Sequence, residues 1–388
     1  MTKEVLHTGF DGLDLALKAN ISSELHQALE TARRVAEEND RDTPLDVNGV
    51  RVTVAPTGAK GGYRYRIDTG DDGAVWFLKK PNAGDPWGVR LSMKSRALAL
   101  HGLDGVRMAL KDSCARFGLT VPADGVSISR VDYAVDVLDP GFVLDPSAFV
   151  IPAHTVRKTH QTRQKDLTDI STAGKSDRYT SVTIGMMPGR QVIVYDKREE
   201  VLVKHKVEWP LIWDANRAKT GLPPLDYADP NTSRVWRFEL RAGKTCLKDR
   251  YGIRGFQSLQ DKLPSLMDDL MQDARLTVPT SDSNRARWPL HPLWAQLQQV
   301  VPETLFQHFT TVPIERVREA DLEEKKREAR AAAAAAALRL AIFEGVREDR
   351  VPEFIKGIGA DLHASVESHP KPLRKRLEEI RERYRPLV

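Results

Sequence analysis

Two segments of this sequence alternate apolar and charged residues with a period of two, and that alternation restricts the fold more than any other feature. In Ser129-Arg-Val-Asp-Tyr-Ala-Val-Asp136, an extended chain puts Val131, Tyr133 and Val135 on one side. Arg130, Asp132, Ala134 and Asp136 fall on the other. In Arg234-Val-Trp-Arg-Phe-Glu-Leu-Arg241, Trp236, Phe238 and Leu240 likewise oppose Val235, Arg237, Glu239 and Arg241. A helix would scatter these sets around its circumference, whereas a strand keeps each together. Each segment therefore reads as a strand with one core face and one face carrying both acid and base. Cross-strand ion pairs account for such a face without any function, so neither strand alone assigns one.

A third segment, Arg190-Gln-Val-Ile-Val-Tyr-Asp-Lys-Arg-Glu-Glu200, runs from an apolar stretch into Tyr195-Asp196-Lys197. It reads as the second strand of a hairpin with residues 180–184, turning across Gly185-Met-Met-Pro-Gly189. Upstream, residues 21–39 show helical spacing of Leu25, Ala28, Leu29, Ala32, Val35 and Ala36, with Ser22 or Ser23 as cap. Four short β-rich runs follow at 49–55, 62–67, 74–78 and 87–93, separated by Gly, Pro or Asp, as in an antiparallel meander. A helix is expected over 95–117, closed by Gly118. Downstream lie an insertion at 201–233 with Trp209 and Trp213, a helix over 257–273 and another near 294–300.

The polar, basic stretch 154–178 reads as a loop, either simply solvated or a flap that contacts phosphate. Beyond residue 313 the composition changes. Residues 314–344 are charged and then contain seven consecutive alanines, Ala331–Ala337, a strong helix signal. Residues 371–385 carry seven basic and three acidic side chains. This region is expected to be a helical arm that is solvated, self-associating or DNA-gripping. The organisation is then an N-terminal helical segment at 1–45, an α+β core at 46–300 and a helical C-terminal region at 313–388. The fold class expected is α+β, with antiparallel sheets and flanking helices.

The 388 residues carry 59 Lys+Arg against 54 Asp+Glu, a net charge of only +5, which permits a nucleic-acid partner without requiring one. Cys114 and Cys246, the two cysteines, build neither a disulfide framework nor a zinc site and favour a reducing compartment. The N-terminus has no signal-peptide pattern, and no run approaches the roughly eighteen apolar residues of a membrane span. A cytoplasmic location without membrane partners is expected. Ala242-Gly-Lys-Thr245 resembles the end of a P-loop, but Phe238 stands where its first glycine belongs, and nucleotide binding is rejected. No His-x-His pair occurs, so a histidine metal cluster is absent.

The remaining chemistry is that of carboxylates, cations and one tyrosine. Asp132, Asp136 and Glu239 are oxygen donors suited to Mg2+ or Mn2+ rather than zinc. Tyr195 is the candidate nucleophile; a phenol titrates near ~10, so attack at neutral pH needs assistance. Lys197, two residues on, would lower the phenol's pKa or hold the phosphate. Arg130, Arg190, Arg237, Arg241 and Lys244 are the candidate phosphate-binding cations. Tyr195 also has a plain explanation as a packed strand aromatic, with Tyr251 the next candidate nucleophile.

In these blocks the sequence resembles the replication initiation factor family (Rep_trans), which comprises rolling-circle plasmid and phage initiators and related relaxases. The likeness is carried in order by Ser129–Asp136, Ser181-Val-Thr-Ile-Gly185 leading into Val194-Tyr-Asp-Lys-Arg-Glu199, and Val235–Lys244, and it spans residues 6–294, including His7-Thr-Gly-Phe-Asp11. The resemblance implies an α+β fold and an origin-specific, metal-dependent endonuclease and strand-transferase. Such enzymes join a tyrosine to the 5′ end of the nicked strand and free a 3′-OH. By position Tyr195 matches the family tyrosine, and Asp132, Asp136 and Glu239 its acidic positions. Its implied partners are origin DNA, single-stranded or hairpin, with a host helicase and a second copy of the chain. The 201–233 insertion and the alanine-rich arm depart from compact members. Two alternatives stand beside the initiator: a conjugative relaxase with the same chemistry, and a DNA-binding replication or regulatory protein without catalysis.

Overall fold

The alternating segments become neighbouring antiparallel strands at the centre of one large sheet. A computed structural model describes residues 3–151, 170–175, 178–308 and 310–384, so most of the basic stretch expected at 154–178 lies outside the described residues. The chain divides into two compact units, Met1–Val312 and Pro313–Val388.

The first unit begins with β1 (Glu4–Leu17) and α1 (Ser23–Asn39). The meander follows as β2 (Thr43–Val47), β3 (Val50–Val54), β4 (Tyr63–Asp68), β5 (Ala74–Lys79) and β6 (Val89–Met93). Then come α2 (Ser95–Arg116), β7 (Val126–Leu138) and the short β8 (Phe149–Val150). β9 (Ile170–Lys175), β10 (Arg178–Met186) and β11 (Arg190–Asp196) lead into α3 (Lys197–Val203). The 201–233 insertion supplies α4 (Glu208–Lys219) and α5 (Pro230–Ser233) before β12 (Val235–Gly243). α6 (Phe256–Asp273), β13 (Arg275–Leu276) and α7 (Pro292–Thr304) complete the unit.

Among the described residues the main sheet has eleven strands in the order β2-β3-β4-β5-β6-β1-β7-β12-β11-β10-β9, and all its strand ladders are antiparallel. The fold is α+β, with a large antiparallel sheet and flanking helices. The central position of β1 corrects the expectation that residues 1–45 are helical: this 14-residue strand joins the meander to the β7 half. Gly9, Gly12 and two aspartates dilute its β character. Register shifts between Val5 and His7, Phe10 and Gly12, and Asp14 and Leu15 break the alternation that identifies a strand in sequence.

The helices start and stop where local chemistry directs them. The Ser22 hydroxyl accepts from the Leu25 N–H at 3.1 Å to cap α1. Gly118, at φ 66°, follows the end of α2. One sheet face is apolar and buried: Val131, Tyr133 and Val135 of β7 join Trp236, Phe238 and Leu240 of β12 in the core. α6 and α7 cover it. Trp294 meets Phe238 edge-on with ring centroids 6.2 Å apart and donates its indole N–H to the Met271 carbonyl at 3.0 Å. The Tyr133 hydroxyl reaches Thr304 of α7 at 2.9 Å.

The second unit is helical: α8 (Ile314–Phe343), α9 (Val351–Gly357), α10 (Gly359–Glu367) and α11 (Leu373–Tyr384). The alanine run lies inside the 30-residue α8, whose surface carries i,i+3 ion pairs such as Lys326–Glu323 at 2.7 Å. No described helix is long and apolar enough to cross a membrane.

Trp294→Ala should remove about 3–5 kcal/mol of stability, because it empties a fully buried site. Leu338→Ala, at a half-exposed position of α8, should change stability by less than about 0.5 kcal/mol. Urea midpoints with unchanged slopes would establish the contrast; equal shifts would contradict the assigned core.

A candidate active site on the second face of the sheet

The opposite face of the same strands is polar, and strand register alone brings its residues together. β12 lies between β7 and β11, so Arg237 is opposite Asp136 on one side and Tyr195 on the other. Asp136 is in turn opposite His7 of β1. His7, Asp136, Arg237 and Tyr195 therefore form one row across four strands. The next row holds Ala134 and Glu239, and the one after it Asp132 and Arg241.

At the centre of the row is a fully buried ion pair. Arg237 donates from Nε to Asp136 Oδ1 at 2.6 Å and from Nη2 to Oδ2 at 2.7 Å. Its Nη1 reaches Asp11 of β1 at 2.6 Å. The Trp213 indole N–H of α4 adds a bond to Asp136 Oδ2 at 2.8 Å. Burial alone would raise the Asp136 pKa, but the Arg237 charge outweighs it and holds the carboxyl below its usual range. Trp209, one helical turn before Trp213, lies over the guanidinium with its ring centroid 3.8 Å from Cζ. His7 meets Trp209 edge-on at 5.2 Å, and burial pushes its imidazole down to about 4.

The Tyr195-Asp196-Lys197 triplet is a strand end, a helix cap and a helix start. Asp196 closes β11 and accepts from the Glu199 N–H at 2.9 Å, capping α3. Lys197 is thus the first residue of α3 rather than a continuation of the strand, yet it still turns back to Tyr195. Its Nζ is 3.4 Å from the Tyr195 hydroxyl and 2.6 Å from Glu200, one turn along α3. Lys197 is 1% exposed, and burial lowers its pKa to about 8, with Arg237 adding to the effect. The Tyr195 hydroxyl donates to Glu239 Oε1 at 2.7 Å. Burial raises the phenol well above its ordinary value, so the resting group is the protonated phenol.

Glu239 and Asp132 share Arg241. Its Nε donates to Glu239 Oε2 at 2.7 Å and lies 3.6 Å from Asp132 Oδ2. Arg130 donates to Asp132 Oδ1 at 2.9 Å. Burial first, and the nearby Asp11 charge as well, raise both Asp132 and Glu239. Gly12 opposite Asp132 is required by space: a Cβ there would lie 2.5 Å from Asp132 Oδ2.

These pairings decide how each expected ligand or clamp stands. Both oxygens of Asp136 are already engaged, by Arg237 and Trp213, inside a fully buried pair. Asp132 and Glu239, with the unanticipated Asp11 beside them, form an acidic set; burial and the Asp11 charge disfavour ionisation of the first two, the donor chemistry that a hard divalent cation relieves. Arg241 now bridges two of them, and among the described residues no three of these carboxylates place oxygens within 4.8 Å of one another. An ion there would take over the role of Arg241. Of the expected phosphate-binding cations, Arg237 is fully buried and spent inside the sheet, so no clamp on a phosphate comes from it in this arrangement. Arg190 pairs with Asp273, Arg130 and Arg241 with the carboxylates, and Lys244 is exposed at the end of β12.

Sequence reasoning gave no role to His7, Asp11, Trp209, Trp213 or Glu200. His7 and Asp11 sit in the block His7–Asp11, where bulges hide the strand. The two tryptophans are visible only as an i,i+4 pair in an insertion of unknown docking.

Asp136→Asn should lower stability by about 3–5 kcal/mol at neutral pH, since it leaves a buried guanidinium uncompensated. The Asp136 carboxylate stabilises the fold above its unfolded-state pKa of about 3.9, and that share is lost as pH falls through its lower folded value. The variant should therefore lack this component of acid unfolding below about pH 4, followed by circular dichroism. Identical acid profiles would refute the assignment.

A scan against protein-family models finds no match, and neither does a search of curated proteins. Among solved structures the chain is similar to a rolling circle replication initiator protein from Geobacillus stearothermophilus, at 14% identity and a TM-score of 0.36, over 76% of this chain and 96% of that one.

Proposed function

We propose that the protein is a DNA nicking and joining enzyme of the rolling-circle initiator type, with Tyr195 as its nucleophile. The observation that carries this reading is the Tyr195 hydroxyl, hydrogen-bonded to Glu239 at 2.7 Å and flanked by the Lys197 ammonium at 3.4 Å. Other tyrosines also donate to carboxylates, Tyr65 to Glu30 and Tyr227 to Asp214, so it is the buried Lys197 ammonium beside the hydroxyl that sets Tyr195 apart. The ordered sequence blocks resembling the replication initiation factors support the same assignment.

In this reading the Tyr195 oxygen attacks the scissile phosphorus. The new bond is phosphorus to phenolic oxygen, the bond broken is phosphorus to the 3′ oxygen, and the phenol proton passes to Glu239. Glu239 already accepts the phenol's hydrogen bond, which positions it as the base. Lys197 and Arg237 stabilise the phenolate character that develops, and the 3′ oxygen takes a proton from solvent. The 5′-phosphotyrosyl ester conserves the phosphodiester's energy for resealing or transfer. Asp132, Glu239 and Asp11 would hold Mg2+ or Mn2+, which when bound draws charge from the phosphate. Asp136 acts here as the counter-charge of Arg237. Lys244, with Arg130 and Arg241 once released from their carboxylates, would contact the DNA backbone.

A conjugative relaxase would use the same groups and differs in its target DNA and its partners. Helicase loading and pairing of two copies are further elements of the initiator reading.

Tyr195→Phe should abolish the covalent adduct with a single-stranded origin oligonucleotide while DNA affinity is kept. Tyr251→Phe, whose hydroxyl is bound to Asp269, should leave the adduct intact. The reverse result would move the nucleophile to Tyr251. Glu239→Gln should slow adduct formation by roughly 10²–10⁴-fold. Chelation should stop nicking and Mn2+ should restore it; unchanged nicking in excess chelator would remove the ion from the mechanism.

A further inference from the structure

The insertion at 201–233 departs from the family pattern, yet α4 lies directly on the polar face. Its indole pair divides the work. Trp213 uses its N–H, bonded to Asp136, whereas Trp209 uses its ring face. The Lys197 ammonium stands between two aromatic rings, 4.7 Å from the Trp209 centroid and 5.6 Å from that of Tyr195. The same Trp209 ring covers the Arg237 guanidinium at 3.8 Å. Two cations of like charge thus lie against one indole ring, which is 1% exposed. Besides Trp209, α4 is held on the sheet by Asn216, which donates to the Leu6 carbonyl at 2.8 Å, and by Arg217, which pairs with Glu4.

We propose that Trp209 is a positioning residue: its indole face roofs Lys197 and Arg237 and fixes the ammonium against the Tyr195 phenol. The proposal rests on Tyr195 as nucleophile. It goes further by making the inserted helix part of the site.

The physical basis is the cation–π attraction of a water-excluded ring together with desolvation. An open face above Lys197 would admit water and free the side chain to follow Glu200 outward. Arg237 of β12, Asp11 of β1 and Glu200 of α3 all act on Lys197, and the Tyr195 hydroxyl of β11 lies 3.4 Å from its Nζ. Lys206, beyond α3, and Glu208 of α4 also belong to its electrostatic environment, as does Asp136 of β7. Burial under Trp209 adds to this field and keeps the ammonium's pKa low.

The test compares Trp209→Leu and Trp209→Phe in the full chain. The Lys197 Cε resonance of 13C-lysine-labelled protein, assigned with Lys197→Arg, is titrated without DNA. Single-turnover adduct formation and oligonucleotide affinity are measured alongside. In the wild type the midpoint is expected near about 8. Trp209→Leu should let water reach the ammonium and move the midpoint up toward the ordinary lysine value, the lost ring attraction offsetting only part of that rise, and slow adduct formation about tenfold at unchanged affinity. Trp209→Phe should recover part of both. Should Trp209→Leu not fold, Trp209→Met, similar in volume to Leu but unbranched and more adaptable, takes its place.

A midpoint and rate unchanged in the non-aromatic variant would overturn the proposal, as would equal losses in the Phe and Leu variants. A shifted midpoint in a protein whose wild type forms no adduct would uphold the positioning and reject the nicking reading.

Discussion

The Asp136–Arg237 ion pair is the constraint around which the centre of this protein is arranged. Two full charges with no exposure can persist only if nearly every donor and acceptor is satisfied. Here β7 and β12 supply the pair by register, β1 supplies Asp11 to a third guanidinium nitrogen, and α4 supplies an indole N–H and an indole face. Removing Asp11 or the Trp213 N–H would take a hydrogen-bond partner from the pair, and removing the Trp209 ring would take its cover. The inserted helix is therefore a requirement of the polar row that it covers.

That requirement explains why both faces of the central strands are buried. The apolar face packs on α6 and α7, as antiparallel sheets commonly do on one side. The polar face would ordinarily be solvated. Covering it with Trp209 and Trp213 raises the strength of every interaction beneath, because the dielectric falls. The shifts at Tyr195, Lys197, Glu239 and Asp132 all have burial as their largest cause. Clustered perturbations of this kind accompany functional sites more often than structural surfaces.

The pairing of carboxylates with arginines has a consequence for recognition. Arg130 and Arg241 are only partly exposed and neutralise Asp132 and Glu239. In the proposed reading, a phosphate at Tyr195 would compete with those carboxylates for the guanidiniums, and a divalent cation would compete with the guanidiniums for the carboxylates. Substrate and ion would thus favour each other's binding by exchanging partners within one set of charges.

Period-two alternation at 129–136 and 234–241 determined by itself that these are strands, which residues share a face, and that acid and base lie together. The order of the blocks pointed to Tyr195 and Glu239. Helix signals were equally local: the Ser22 cap, Gly118 and the alanine run needed no tertiary context. β1 was not legible, because its bulges and glycines break the alternation while its stability comes from neighbours on both sides. Only the tertiary structure decided that Arg237 points into Asp136 rather than toward solvent, and that Tyr195 meets Glu239. It also decided that an insertion roofs the site. Strand periodicity specifies a face but not its register with the next strand or what covers it. Those follow from pairing and burial between residues as distant as Asp11 and Arg237.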